Sequence, residues 1–114
     1  MGLSVEMKNL KLKFNEAMKD IYKQAKIECG YNATRFLQMV NELGGYKAAL
    51  RLLYSKDVSE GFIELWKLAR LDLTMEAMIY ENLIWHDLFN KKELAIARKR
   101  LEDLDYKPKI KTNF

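Results

Sequence analysis

The sequence predicts an all-α fold, a compact bundle of about six helices that opens with a long amphipathic one. Three observations carry this. Apolar residues recur at helical spacing from Met7 to Leu104. One proline and five glycines among 114 residues are too few for the many turns of a β-sandwich or barrel. Residues that cap helices stand ahead of the successive apolar stripes.

Met7, Leu10, Phe14, Ala17 and Ile21 step by three, four, three and four, one stripe on one helix. Ser4 is placed to cap its start, with Glu6 in the first turn, and Gly30 to close it. At roughly 24 residues this helix is twice the mean length of about 11–12. Asn32 is the expected cap of a second helix carrying Phe36, Met39, Val40 and Leu43, ended by Gly44-Gly45. A third, Tyr46 to Tyr54, follows through Ala48, Ala49, Leu52 and Leu53. Asp57 and Glu60 have capping-box spacing before Phe62, Ile63, Leu65, Trp66 and Ala69. Thr74 caps the next helix, with Glu76 near the positive end of its dipole. Asn90 and Glu93 repeat the box, and Leu94, Ala97, Leu101 and Leu104 make the last stripe before Pro108. The expected core is Phe36, Met39, Leu53, Phe62, Leu65, Trp66, Leu73, Leu88 and Phe89.

All of this fits one domain over residues 1–114: a long helix over 1–30, a helical core over 31–105 and a basic tail over 106–114. With 49% apolar and 32% charged residues, the chain can bury a core and solvate its surface, which excludes disorder as its main state.

The string Phe36-x-x-Met39-Val40, Gly44-Gly45, Ala48-Ala49, Leu52-Leu53, Gly61-Phe62, Leu65-Trp66, Arg70-Leu71-Asp72-Leu73-Thr74-x-Glu76 and Leu88-Phe89 resembles a small helical domain of uncharacterised bacterial proteins. It covers about residues 34–106, and Leu-Asp-Leu-Thr-x-Glu is its most specific part. That domain has no established activity. The resemblance implies a fold and a bacterial or phage source, and it brings no active site with it.

Composition narrows the chemistry. One cysteine rules out a disulfide framework, and one cysteine with one histidine rules out the common zinc cages; no metal or cofactor is expected. His86 would have to serve any Ser–His or Cys–His arrangement, yet it lies among Leu83, Ile84, Trp85, Leu88 and Phe89, with Cys29 far away in sequence. Gly44-Gly45-Tyr46-Lys47 lacks the spacing of a phosphate loop. Glu60, Glu64, Asp72 and Glu76 are the acids a metal-dependent nuclease would use, but each has a cap, dipole or surface role. A helix-turn-helix over Gly45–Arg70 would offer Glu60 and Glu64 to phosphates, the wrong charge. The chain is therefore read as a non-enzyme.

The start has no apolar h-region, position 6 is Glu rather than the Ser or Thr of a myristoylation motif, and no apolar run approaches 18 residues. A cytoplasmic protein without membrane contact is expected. Asn32-Ala33-Thr34 then marks a helix start rather than a glycosylation site.

Charge points to binding. Residues 1–28 carry net +2, residues 29–90 net −2 and residues 91–114 net +4. The expected binding residues lie at the C-terminal end: Lys91 and Lys92 opening the last helix, Arg98, Lys99 and Arg100 along it, and Tyr106, Lys107, Lys109, Lys111 and Phe114 in the tail. The leading reading is a small helical accessory or inhibitor protein that engages an intracellular nucleic-acid-processing assembly, such as a defence nuclease. Its rival is direct DNA or RNA binding through the same basic end, and a metal-dependent nuclease ranks third. The six lysines flanking the first helix's apolar seam also suit an interaction helix, in a homodimer or against a partner.

Overall fold

A computed structural model describes residues 2–111, with side chains from Val5 onward. It contains six α-helices: α1 (Gly2–Cys29), α2 (Thr34–Leu43), α3 (Gly45–Tyr54), α4 (Glu60–Lys67), α5 (Met75–Glu81) and α6 (Lys91–Glu102). Short 3-10 turns over Leu71–Leu73 and Leu83–Asp87 flank α5. Among the described residues the β pairing is one isolated bridge, between Asn82 and Lys111. No helix among them is long and apolar enough to cross a membrane.

The apolar stripe of α1 is spent on its own domain. Phe14 and Met18 are wholly buried against α2, α3 and α5, and Phe14 meets Trp85 and Phe89 edge-on at 5.2 and 5.4 Å. Edge-to-face packing sets the positive rim of one ring against the negative face of another. Further along, Ala25 joins Leu65 and Leu73 in a smaller cluster. A homodimer built on this seam would have to open the core. Met7, at the stripe's head, is exposed.

Gly44 and Gly45 are needed for different reasons. Gly44 has φ +83°, which lets α2 stop and α3 start one residue apart. Gly45 lies against α1: a Cβ there would sit 2.8 Å from the Cα of Asn15, whose side chain accepts the Gly45 N–H at 2.8 Å. Small residues carry the approach onward through Ala48 and Ala49, both wholly buried.

Two expected caps hold and three move. Asn90 and Glu93 form the full capping box, at 2.8 and 2.9 Å. Thr74 caps α5 by accepting the Ala77 N–H. Helix α1 begins at Gly2, ahead of Ser4. The N-cap of α2 is Ala33, without a side-chain bond, because Asn32 instead accepts the Tyr22 hydroxyl. Ser59, not Asp57, caps α4, accepting the Phe62 N–H at 3.1 Å.

The largest correction to the expected core is Trp66, which is 46% exposed. Helix α4 has only eight residues, and Phe62 and Leu65 face inward, so Trp66 falls about 100° round from Leu65. Phe36 and Met39 are half-buried; the other six expected core residues are buried.

Candidate functional site

The string Arg70-Leu71-Asp72-Leu73-Thr74-x-Glu76, the most specific stretch of the sequence, is occupied with holding the fold. Arg70 binds Asp72 through two nitrogens at 3.0 Å and Glu28 at 2.8 Å, tying the end of α1 to the turn before α5. That guanidinium holds the Asp72 carboxyl below the usual carboxylate range. Leu71 and Leu73 are buried, and Thr74 caps α5. Glu76 is 3% exposed and lies 3.1 Å from Arg100. Burial pushes its pKa up, and Arg100 opposes that shift.

Each of the four candidate metal-binding acids is paired with a cation. Glu60 lies 3.4 Å from Arg35 and Glu64 3.5 Å from Lys67, while Asp72 and Glu76 have the partners just given. Among the described residues no group of three or more His, Cys, Asp or Glu could hold a metal ion. His86 bonds the Tyr80 carbonyl oxygen through Nε2 at 2.8 Å. The Cys29 sulfur lies 4.0 Å from an Arg70 nitrogen and is half-buried.

The basic C-terminal residues are used unequally. Arg100 faces inward with 12% of its side chain exposed. It donates to the carbonyls of Leu52, Leu53 and Ser55, so it caps the C-terminal end of α3 while pairing with Glu76. Its charge is consumed inside the molecule. Arg98 and Lys99 stay outside but pair one turn on with Glu102 at 3.8 Å and Asp103 at 2.9 Å. The tail is fastened through Glu81, 4% exposed, whose carboxylate accepts the Tyr106 hydroxyl at 2.8 Å and the Lys109 N–H at 3.1 Å. Burial and that bond raise the Tyr106 pKa. The Lys111 ammonium lies 3.9 Å from the same carboxylate. Lys91 and Lys107 are exposed, and Lys92 lies over the Tyr54 ring at 5.4 Å. Phe114 lies outside the described residues.

Another basic surface appears only in three dimensions. Helix α1 has a second ladder, Val5, Lys8, Leu12, Asn15 and Lys19, again spaced three and four. From Lys8 to Lys19 it forms one wall of a groove of about 460 Å³ whose other wall is the α2–α3 junction with Lys47. Leu12 is 62% exposed there. Lys11 covers the Tyr46 ring at 4.7 Å, and Tyr46 packs on Phe89, so a cation is fixed at the groove by the core beneath it. Of the groove's four lysines, only Lys19, itself half-buried, has an acidic partner among the described residues, the exposed Glu16 at 3.6 Å. Lysines spread over two helices gave no cluster in the sequence. The signal that could have found them was the second 3-4 ladder on α1.

No family model, curated protein or solved structure matches this chain.

Proposed function

We propose that this chain is a non-enzymatic helical binding protein, an accessory or inhibitory component that docks on an acidic protein surface within a nucleic-acid-processing assembly of a bacterium or phage. The observation that carries the reading is the α1–α3 groove, where exposed Leu12 shares one surface with Lys8, Lys11, Lys19 and Lys47. An acidic amphipathic segment satisfies both features: its apolar residues cover Leu12 and its carboxylates meet the lysines. A phosphate backbone would meet the lysines and leave Leu12 wet. In this reading the docking surface lies on α1 and α3, while Arg100 and Tyr106 of the basic end support the fold.

Direct nucleic-acid binding is the second reading, favoured by Lys8, Lys47, Arg51 and Lys91, cations without acidic partners among the described residues. Titrating labelled duplex DNA and single-stranded RNA at several salt concentrations separates the two. The protein-partner reading expects weak, unsaturated binding. Tight binding would favour the rival, provided log affinity falls with log salt at about −0.9 per duplex phosphate neutralised and the slope flattens in Lys8→Glu/Lys47→Glu.

A further inference from the structure

On a different face from the lysine groove, a cavity of about 340 Å³ opens between the C-terminal third of α1, the starts of α2 and α4, and the turn into α5. Ile21, Ala25, Phe36, Leu65 and Met75 give it apolar walls. The two buried polar side chains among its lining residues, Thr74 and Glu76, are already satisfied. Thr74 accepts the Ala77 N–H and donates to the Leu71 carbonyl, and Glu76 pairs with Arg100. Neither of these two therefore calls for a charged or hydrogen-bonding ligand atom. Two further lining residues, Arg35 and Glu60, are well-exposed opposite charges 3.4 Å apart, so they add no net charge.

One half-buried lining group is different. The Tyr31 hydroxyl makes no hydrogen bond among the described residues. Burial, helped by Glu60 and Glu64, raises its pKa, so at neutral pH it carries its proton and can donate. Gly61 faces it: a Cβ at Gly61 would lie 3.7 Å from the Tyr31 oxygen, in ordinary contact.

We propose that this cavity is a binding site for an uncharged, largely apolar small molecule bearing one carbonyl-type acceptor. The apolar body lies against the aliphatic and aromatic walls, and the acceptor takes the Tyr31 hydroxyl proton in a hydrogen bond. The volume falls at the small end of ligand sites, which run from about 300 to 1,000 Å³. A charged ligand would lose its hydration and find no unpaired countercharge in the walls. A partner helix needs a channel that accepts several anchors one turn apart. Here segments of five helices and a 3-10 turn converge on one half-open cavity rather than a long channel. The proposal is independent of the docking reading, since the two sites share no lining residue.

The test uses prodan, a neutral naphthyl ketone whose emission reports both the polarity around it and hydrogen bonding to its carbonyl. Titration is expected to saturate at one probe per chain with a blue shift. Tyr31→Phe should weaken binding by about 2- to 10-fold, the worth of one neutral hydrogen bond, and shift the bound emission further to the blue. Gly61→Leu places a side chain toward Tyr31 at a helical position without positive φ, and should weaken binding by at least about tenfold. Met39→Trp fills the cavity from α2 as a second blocking variant. An anionic naphthalene sulfonate should bind at least about tenfold more weakly than prodan. Unsaturable binding, binding untouched by both filling variants, or preference for the anion would each overturn the proposal.

Discussion

Replacing Arg100 by methionine isolates the interaction that distinguishes this bundle from a purely apolar one. Methionine keeps much of the aliphatic stem and removes four hydrogen bonds: three to carbonyls at the end of α3 and one to Glu76. The carbonyl of Ser55 is at the surface and water can replace that bond. Glu76, at 3% exposure, cannot be rescued so. Removing one partner of a buried pair costs about 3–5 kcal/mol, because the remaining charge is left uncompensated. That is a large share of the roughly 5–15 kcal/mol available to a domain.

The loss should depend on pH, with a definite sign. Burial already pushes the Glu76 pKa up, and without Arg100 it rises further. A carboxyl whose folded pKa lies above its unfolded value contributes stability that is fully present below the unfolded pKa. That contribution disappears as pH rises through the folded pKa. Arg100→Met should therefore lose stability relative to the native chain as pH rises above the ordinary carboxylate range. Adding Glu76→Gln should recover part of the loss at neutral pH and flatten the profile. Urea denaturation from that range up to neutral pH, followed by circular dichroism, reads both effects. A loss under about 1 kcal/mol at neutral pH, or a larger loss that ignores pH and Glu76→Gln, would refute the assignment.

Three further perturbations follow from the backbone and the surface. Gly45→Ala forces a Cβ toward the Asn15 backbone and should destabilise by about 1–3 kcal/mol in chemical denaturation; a neutral result would show that α1 and α3 do not approach so closely. Ala69 closes α4 with φ +59° and a bond from the Arg70 N–H to the Leu65 carbonyl, so Ala69→Gly should stabilise by about 1 kcal/mol. A drop in stability would contradict that conformation. Trp66→Ala should cost under about 2 kcal/mol, below the roughly 3–5 kcal/mol of a buried aromatic; tryptophan fluorescence quenching tests the same exposure directly.

What could be read from the sequence was whatever depends on short-range periodicity. The stripe on α1 and the Asn90–Glu93 box involve residues within a turn or two of each other, and both are present. Features missed in the sequence depend on residues brought together from afar. Asn32 looked like a cap until Tyr22, ten positions earlier, claimed its side chain. Arg100 is indistinguishable from Arg98 and Lys99 in a run of cations. Only its place beside Leu101, at the edge of the buried stripe, sends it inward to Glu76 and α3. Trp66 was judged by its residue type, whereas α4 ends too soon to bury it. The lysine groove joins residues about 30 positions apart, and its trace in the sequence was the Val5–Lys8–Leu12–Asn15–Lys19 ladder.

Site-specific photo-crosslinking tests the docking surface most directly. A benzoylphenylalanine placed at position 12 in the native host should trap one acidic protein, and Lys47→Glu should abolish the adduct. The same probe at position 99, on the exposed side of α6, should trap little. Adducts that form at 99 and not at 12, or that contain nucleic acid in place of protein, would contradict docking through the α1–α3 groove.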